Sequence, residues 1–174
     1  MNETIQNMIS RRSIRKFRSE MVPHHLIEQI VNAGLWAASG RNNQQVAIVA
    51  VTNRELRDKM SRSNNSFGKW GPDFDPFYGA PVVLVVLANK AAPTYIYDGS
   101  LVMGNLMLAA HSLGIGSCWI HRAKEEFETE EYQQLIRNLG MEGQWEGIGH
   151  CVLGYADEEP ASIPRKEGRV FWVE

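Results

Sequence analysis

The chain has 174 residues, 44% hydrophobic and 22% charged, with 18 basic and 20 acidic side chains and a formal net charge of −2. That length suits one sizeable domain spanning residues 1–174 and is too short for two ordinary ones. Balanced charge argues against a nucleic-acid partner, and no apolar run reaches the roughly 18 residues a membrane span needs.

The polar start, Met1 to Gln6, lacks the basic and apolar regions of a secretion signal. Cys118 and Cys151 have no metal or redox spacing. Two reduced, buried thiols in a cytoplasmic protein are therefore expected. Residues 2–10 read as a short helix. Pro23 suits a helix start, and the rows Leu26/Ile30/Ala33 and Ile27/Val31/Leu35 predict an amphipathic helix to Ala37. Residues 39–45 form a polar loop. Val46–Val51 is a continuous apolar run, hence a buried strand, and Asn53 caps a short helix to about Met60. Residues 61–79 mix Ser, Asn, Gly, Pro and aromatics without a period, which reads as a mobile lid.

Pro81–Ala88 is apolar on both faces, as a covered strand requires. Ser100–Leu113 is a helix with almost no polar face; one small domain rarely buries such a helix on every side, so a partner subunit is expected over part of it. Ser117–Ile120 and Ile148–Gly154 read as strands, Thr129–Leu139 as an exposed helix ending at Gly140, and Val170–Val173 as an added edge strand. The pattern is a mixed α/β, α+β single domain.

Arg11-Arg12-Ser13-Ile14-Arg15-Lys16-Phe17 places four cations and a hydroxyl on a short stretch, with a second basic pair at Arg165 and Lys166. Guanidinium forks and a hydroxyl suit a phosphate monoester. A solvated basic face is the competing reading. Asn42, Gln44 and Gln45 carry amides that donate and accept, as an imide-edged heterocycle requires, although ordinary turn chemistry also uses such residues. Gly114-Ile-Gly116 and Gly147-Ile-Gly149 are only fragments of a dinucleotide fingerprint. No Walker loop or nucleophile elbow occurs. The histidines form no metal-ligand spacing, and His111 and His150 read as packed imidazoles. No metal ligand and no catalytic side chain is assigned.

Together, Arg11–Phe17, Ala38-Ser-Gly-Arg-Asn-Asn-Gln44, Gly104-Asn105-Leu-Met-Leu-Ala-Ala-His111 and Leu113-Gly-Ile-Gly-Ser-Cys-Trp-Ile120 resemble the compact branch of the nitroreductase family of FMN-dependent oxidoreductases. The resemblance covers nearly the whole chain in order. It implies a central, mainly antiparallel sheet flanked by helices, and an intertwined homodimer with FMN at the subunit interface. It places Arg11 and Ser13 on the FMN phosphate with Arg12 beside them. Arg165, with Lys166, returns to the same phosphate. Arg15 faces the N1 and O2 edge of the flavin. Asn42 and Gln44, with Ser39 close by, reach the flavin from the neighbouring subunit. Trp119, Ile120 and His121, leading into Arg122, pass the flavin N5, where a backbone N–H donates.

The implied activity is ping-pong hydride transfer from NADH or NADPH to a nitroaromatic, quinone or similar acceptor, with the flavin carrying the chemistry. A flavin-binding sensor with little turnover, or another flavin reaction such as dehalogenation or dehydrogenation, is the alternative. This chain departs from the family pattern at Gln45-Val46, where Pro-Trp is common, and at His121 and Arg122, which reshape the pocket or favour an anionic substrate. It also lacks a clear counterpart of the amide supplied before the Pro81 strand; Asn64 and Asn65 are the nearby candidates. Phe67, Trp70, Phe74, Phe77 and Tyr78 either stack on planar substrates or cover the core.

Overall fold

The structure is a computed structural model describing residues 1–174. Its centre is β2 (Val82–Asn89), whose run Val-Val-Leu-Val-Val-Leu-Ala is buried throughout. β1 (Val46–Val51) and β4 (Trp145–Gly154) pair with its two sides, and β3 (Gly116–Ile120) pairs with β4. The order is β1-β2-β4-β3 with every pair antiparallel, so the expected sheet type holds.

Strand alternation divides the core. Val82, Leu84 and Val86 face one side, where α2 (His24–Leu35) and α4 (Tyr95–Ser112) contribute Ile27, Ile30, Met103 and Leu106. Val83, Val85 and Leu87 face the other side, with Met60 from α3 (Arg54–Gly68), Phe127 from α5 (Ala123–Phe127) and Ile136 from α6 (Glu130–Asn138). Each fully buried Leu or Val side chain contributes roughly 1.5–3 kcal/mol of transfer free energy. α1 (Glu3–Ser10) lies against α4 through Asn7, whose amide donates to the Leu108 carbonyl at 3.0 Å.

A bulge in β4 skips Ile148, since Val86 pairs with Gly149 and Leu87 with Gly147. Both glycines allow close approach. A Cβ on Gly147 would stand 2.2 Å from the Ala123 carbonyl oxygen, and one on Gly149 would stand 2.2 Å from Trp119 Nε1. This lets α5 and the Trp119 indole sit directly on β4.

Several elements differ from the sequence reading. Residues 61–68 continue α3 instead of opening a lid, because Ser61, Asn64 and Asn65 are buried against neighbouring elements and tertiary packing overrides weak helix propensity. The following turn is pinned by Asp75. Its carboxylate accepts from Arg57, from Ser61 Oγ at 2.6 Å, and from the N–H groups of Phe77 and Gly79 at 2.9 and 2.7 Å. Phe77 is a core residue, whereas Trp70 and Phe74 are exposed. β1 is a half-buried edge strand and not fully covered. Val170–Val173 forms no strand, and Phe171 is 87% exposed. α4 starts five residues earlier than expected and buries only one face in this chain; Leu101, Ile96 and Tyr97 stay exposed. α5 has no signal in the hydrophobic pattern. Both cysteines are free and buried. No helix is long and apolar enough to cross a membrane.

Candidate functional site

The basic segment runs beside the edge strand. Ser13 bridges Ser117 of β3 in parallel, the Ile14 N–H donates to the Ser117 carbonyl at 3.0 Å, and Phe17 bridges Ala156 just beyond β4. The chain after β4 doubles back along it. Arg18 N–H donates to the Tyr155 carbonyl at 2.9 Å, Lys16 pairs with Asp157 at 3.0 Å, and the Arg15 N–H donates to Glu158. This return brings Arg165 to the cluster. Arg11, Arg12, Ser13, Arg15, Ile163 and Arg165 line one cleft of about 220 Å³ that no carboxylate lines.

The four arginines differ in what they can offer. The Arg12 guanidinium is engaged by its own surroundings, donating to the Ile9 and Arg11 carbonyls at 2.7 and 2.8 Å and to Ser162 Oγ. Arg11 Nη1 is buried and has no hydrogen-bond partner. A buried charged donor left unpaired is costly, and a bound anion would satisfy it. Arg15 and Arg165 are exposed at the rim. Nearby, Ser10 Oγ lies 2.8 Å from His111 Nε2. Burial first, then the charges of Arg11 and Arg12, hold the His111 pKa below its usual value. Burial raises the Cys118 thiol despite the opposing charge of Arg15. Neither Cys118 nor Cys151, whose pKa is also raised by burial, is poised as a thiolate.

Toward the end of β3 and just past it, Trp119, His121 and Arg122 line a larger cleft of about 810 Å³ together with Trp70, Ile96 and Ile148. Ile120 is buried beneath it, and Trp119 and His121 stand with ring centroids 6.0 Å apart. Trp119 Nε1 is buried without a partner. Ser117 on β3 and His121 just past its end are four residues apart, about 13 Å at the usual extended rise. A phosphate at the first cleft and a ring system at the second would thus sit along β3 and the residues just past it. Arg122 adopts a left-handed φ of 77°, where glycine is the ordinary choice.

The amide loop folds onto itself. The Gln44 N–H donates to Ser39 Oγ at 3.1 Å, and Gln44 Nε2 donates to Asn42 Oδ1 at 3.2 Å. Arg41, Asn42 and Gln44 all carry positive φ. Asp98 anchors the loop: its buried carboxylate accepts the Gly40 N–H at 3.0 Å and the Thr94 hydroxyl at 2.9 Å. Within one chain, Ser39 and Gln44 line a different cleft from the arginine cluster, beside Leu35 and Val102. The single chain therefore joins Arg11, Arg12, Ser13, Arg15 and Arg165, but does not bring Ser39, Asn42 and Gln44 to them.

Asn64 and Asn65 do not present free amide donors to a cleft. Asn64 Nδ2 donates to the His121 carbonyl at 2.7 Å and to Glu126 at 3.0 Å; Asn65 Nδ2 donates to the Gly71 and Phe74 carbonyls at 2.9 and 2.7 Å. Sequence reasoning missed Asp98, Glu126 and this use of Asn64. Isolated polar residues in helical segments carry no sequence signal of whether they point inward.

Fold and clefts together define an α+β protein with a cationic anion cleft and a ring-sized cleft on one edge strand. A profile of the Nitroreductase family matches residues 8–155. An Archaeoglobus fulgidus protein provisionally named an NADH dehydrogenase/NAD(P)H nitroreductase is 32% identical over 165 residues, covering 91% of this chain and 88% of that protein. The NADPH-flavin oxidoreductase of Vibrio harveyi is 29% identical over 98% of this chain and 72% of its own length. A nitroreductase of Desulfitobacterium hafniense, solved with bound FMN, matches all of both chains with a TM-score of 0.88 at 25% identity. The chain belongs to the nitroreductase family.

Proposed function

We propose that this protein is an FMN-dependent oxidoreductase, homodimeric, that uses NADH or NADPH to reduce electron-poor acceptors such as nitroaromatics and quinones by ping-pong hydride transfer. The carrying observation is the cleft shared by Arg11, Ser13, Arg15 and Arg165, in which a buried guanidinium nitrogen lacks a partner while no carboxylate lines the wall. Those donors suit a phosphate monoester, and the Trp119–Arg122 stretch, at and just past the end of β3, is within a flavin's reach of them. The names of the relatives support the same cofactor and reductant class.

FMN, when bound, supplies two-electron hydride acceptance and donation. The chain's residues supply position and charge. Arg11, Ser13 and Arg165 would hold the phosphate. Arg15 would put positive charge beside the pyrimidine edge of the ring, which would favour negative charge there. Trp119, His121 and Arg122 would offer the ring a wall, with Ile120 buried behind them. Ser39, Asn42 and Gln44 would act from the second subunit; two facts support this sharing, the separate cleft that Ser39 and Gln44 line within one chain and the exposed apolar side chains of Leu101, Ile96 and Trp36.

The test is a visible spectrum of the purified protein with excess FMN removed, before and after NADH or NADPH under nitrogen, with sedimentation on the same sample. A yellow dimer that bleaches and recovers its colour on adding a quinone is expected. Colourless protein that takes up no FMN, or a stable monomer with full flavin content, refutes the reading.

A further inference from the structure

Beneath the turn from β3 to α5, three polar side chains are fully buried: Asn64 on α3, Glu126 on α5 and His150 on β4. Burying an amide, a carboxylate and an imidazole together is unfavourable unless they satisfy one another or hold something else. They satisfy one another poorly. Asn64 Oδ1, Glu126 Oε1 and both ring nitrogens of His150 have no hydrogen-bond partner. His150 Nε2 lies 3.1 Å from Glu126 Oε2 but outside hydrogen-bond alignment, and Phe77 packs against the imidazole with ring centroids 5.1 Å apart. Only the Asn64 Nδ2 group is engaged twice, by Glu126 Oε2 at 3.0 Å and by the His121 carbonyl at 2.7 Å.

The bond to the His121 carbonyl holds one peptide plane, and the bond to Glu126 holds the Asn64 amide. In a trans peptide the carbonyl of His121 and the N–H of Arg122 point in opposite directions. With the carbonyl drawn inward to Asn64, the Arg122 N–H faces outward, toward the cleft that Trp119, His121 and Arg122 line. That N–H donates to no acceptor within the chain. Arg122 itself sits at φ 77°, a conformation a non-glycine residue keeps only when its surroundings over-determine it.

We propose that Asn64 is a positioning residue that locks the His121–Arg122 peptide so that the Arg122 N–H donates to the N5 edge of the bound flavin, with Glu126 and the packed His150 holding the Asn64 amide in place. The proposal rests on the flavin reading of this cleft. Asn64→Leu keeps the volume and removes both donors; Glu126→Gln keeps an acceptor facing Asn64. FMN is titrated into ¹⁵N-labelled apoprotein while the Arg122 amide is followed, and the flavin midpoint potential is measured on each variant.

In wild type and Glu126→Gln, the Arg122 amide shifts downfield on adding FMN; in Asn64→Leu it does not. Asn64→Leu binds oxidised FMN about tenfold more weakly and reduced FMN unchanged, equivalent to a potential about 30 mV higher for a two-electron couple. A folded Asn64→Leu with wild-type amide shift and potential overturns the proposal. The wild-type titration stands if that variant fails to fold: FMN bound without any movement of the Arg122 amide also overturns it. No FMN binding by wild type refutes the flavin reading itself, and the proposal with it.

Discussion

Replacing Arg11 with Ala separates phosphate recognition from ring binding. The Arg11 guanidinium lies in a cleft with Arg15 and Arg165, and its Nη1 is buried without a partner. A charge-assisted hydrogen bond contributes about 1.5–3 kcal/mol. At about 1.4 kcal/mol per tenfold change in affinity, loss of that bond weakens FMN binding by roughly 10- to 150-fold. Riboflavin has the same ring and ribityl chain without the phosphate, so its affinity should change by less than about threefold, within 1 kcal/mol. Titrating apoprotein against both ligands by quenching of flavin fluorescence gives the comparison directly. The apoprotein should lose no thermal stability, since the change removes an unpaired buried donor. Arg12→Ala provides the internal contrast: its guanidinium is already engaged by the Ile9 and Arg11 carbonyls and Ser162, so it should loosen the tail after Pro160 more than it weakens FMN. Equal losses for FMN and riboflavin in Arg11→Ala would refute the phosphate assignment.

Two further outcomes follow from the geometry. Burial alone would raise the Asp75 carboxyl pKa, but hydrogen bonds from Arg57, Ser61 and the Gly79 N–H hold it below the usual value. A depressed folded pKa contributes stability above the unfolded value and loses it as pH falls through the folded one. Asp75→Asn should therefore cost about 2 kcal/mol at pH 7, with the gap to wild type closing below about pH 4 in urea unfolding; an equal gap at pH 7 and pH 3 would contradict the ionic account. Leu101→Arg should give a folded monomer with at least tenfold weaker FMN binding, by sedimentation and flavin titration, because Leu101 is half exposed on α4. Leu106 is fully buried within the chain, so a charge there would break the core before it reported on any dimer. A dimeric, fully flavinated Leu101→Arg would rule out α4 as the seam.

The strand β2, the capped start of α3 and the phosphate-suited segment from Arg11 to Phe17 were legible in the chain itself. Continuous apolar runs, cap residues and clustered guanidinium groups leave a local record, because burial, capping and charge each act over a few residues. The family motifs gave the sheet type. What no local pattern holds is which distant groups converge. Folding back after β4 decides that Arg165 joins Arg11 and that Arg12 is occupied by its neighbours. Packing of α3 against α5 and β1 turns a stretch that reads as a mobile lid into a buried helix, and aims Asn64 at the His121 carbonyl. Among five aromatics of one segment, Phe77 goes to the core while Trp70 stays exposed. A polar or aromatic side chain has the same local signature facing water as facing a buried partner, so its role is set only when the tertiary contacts form.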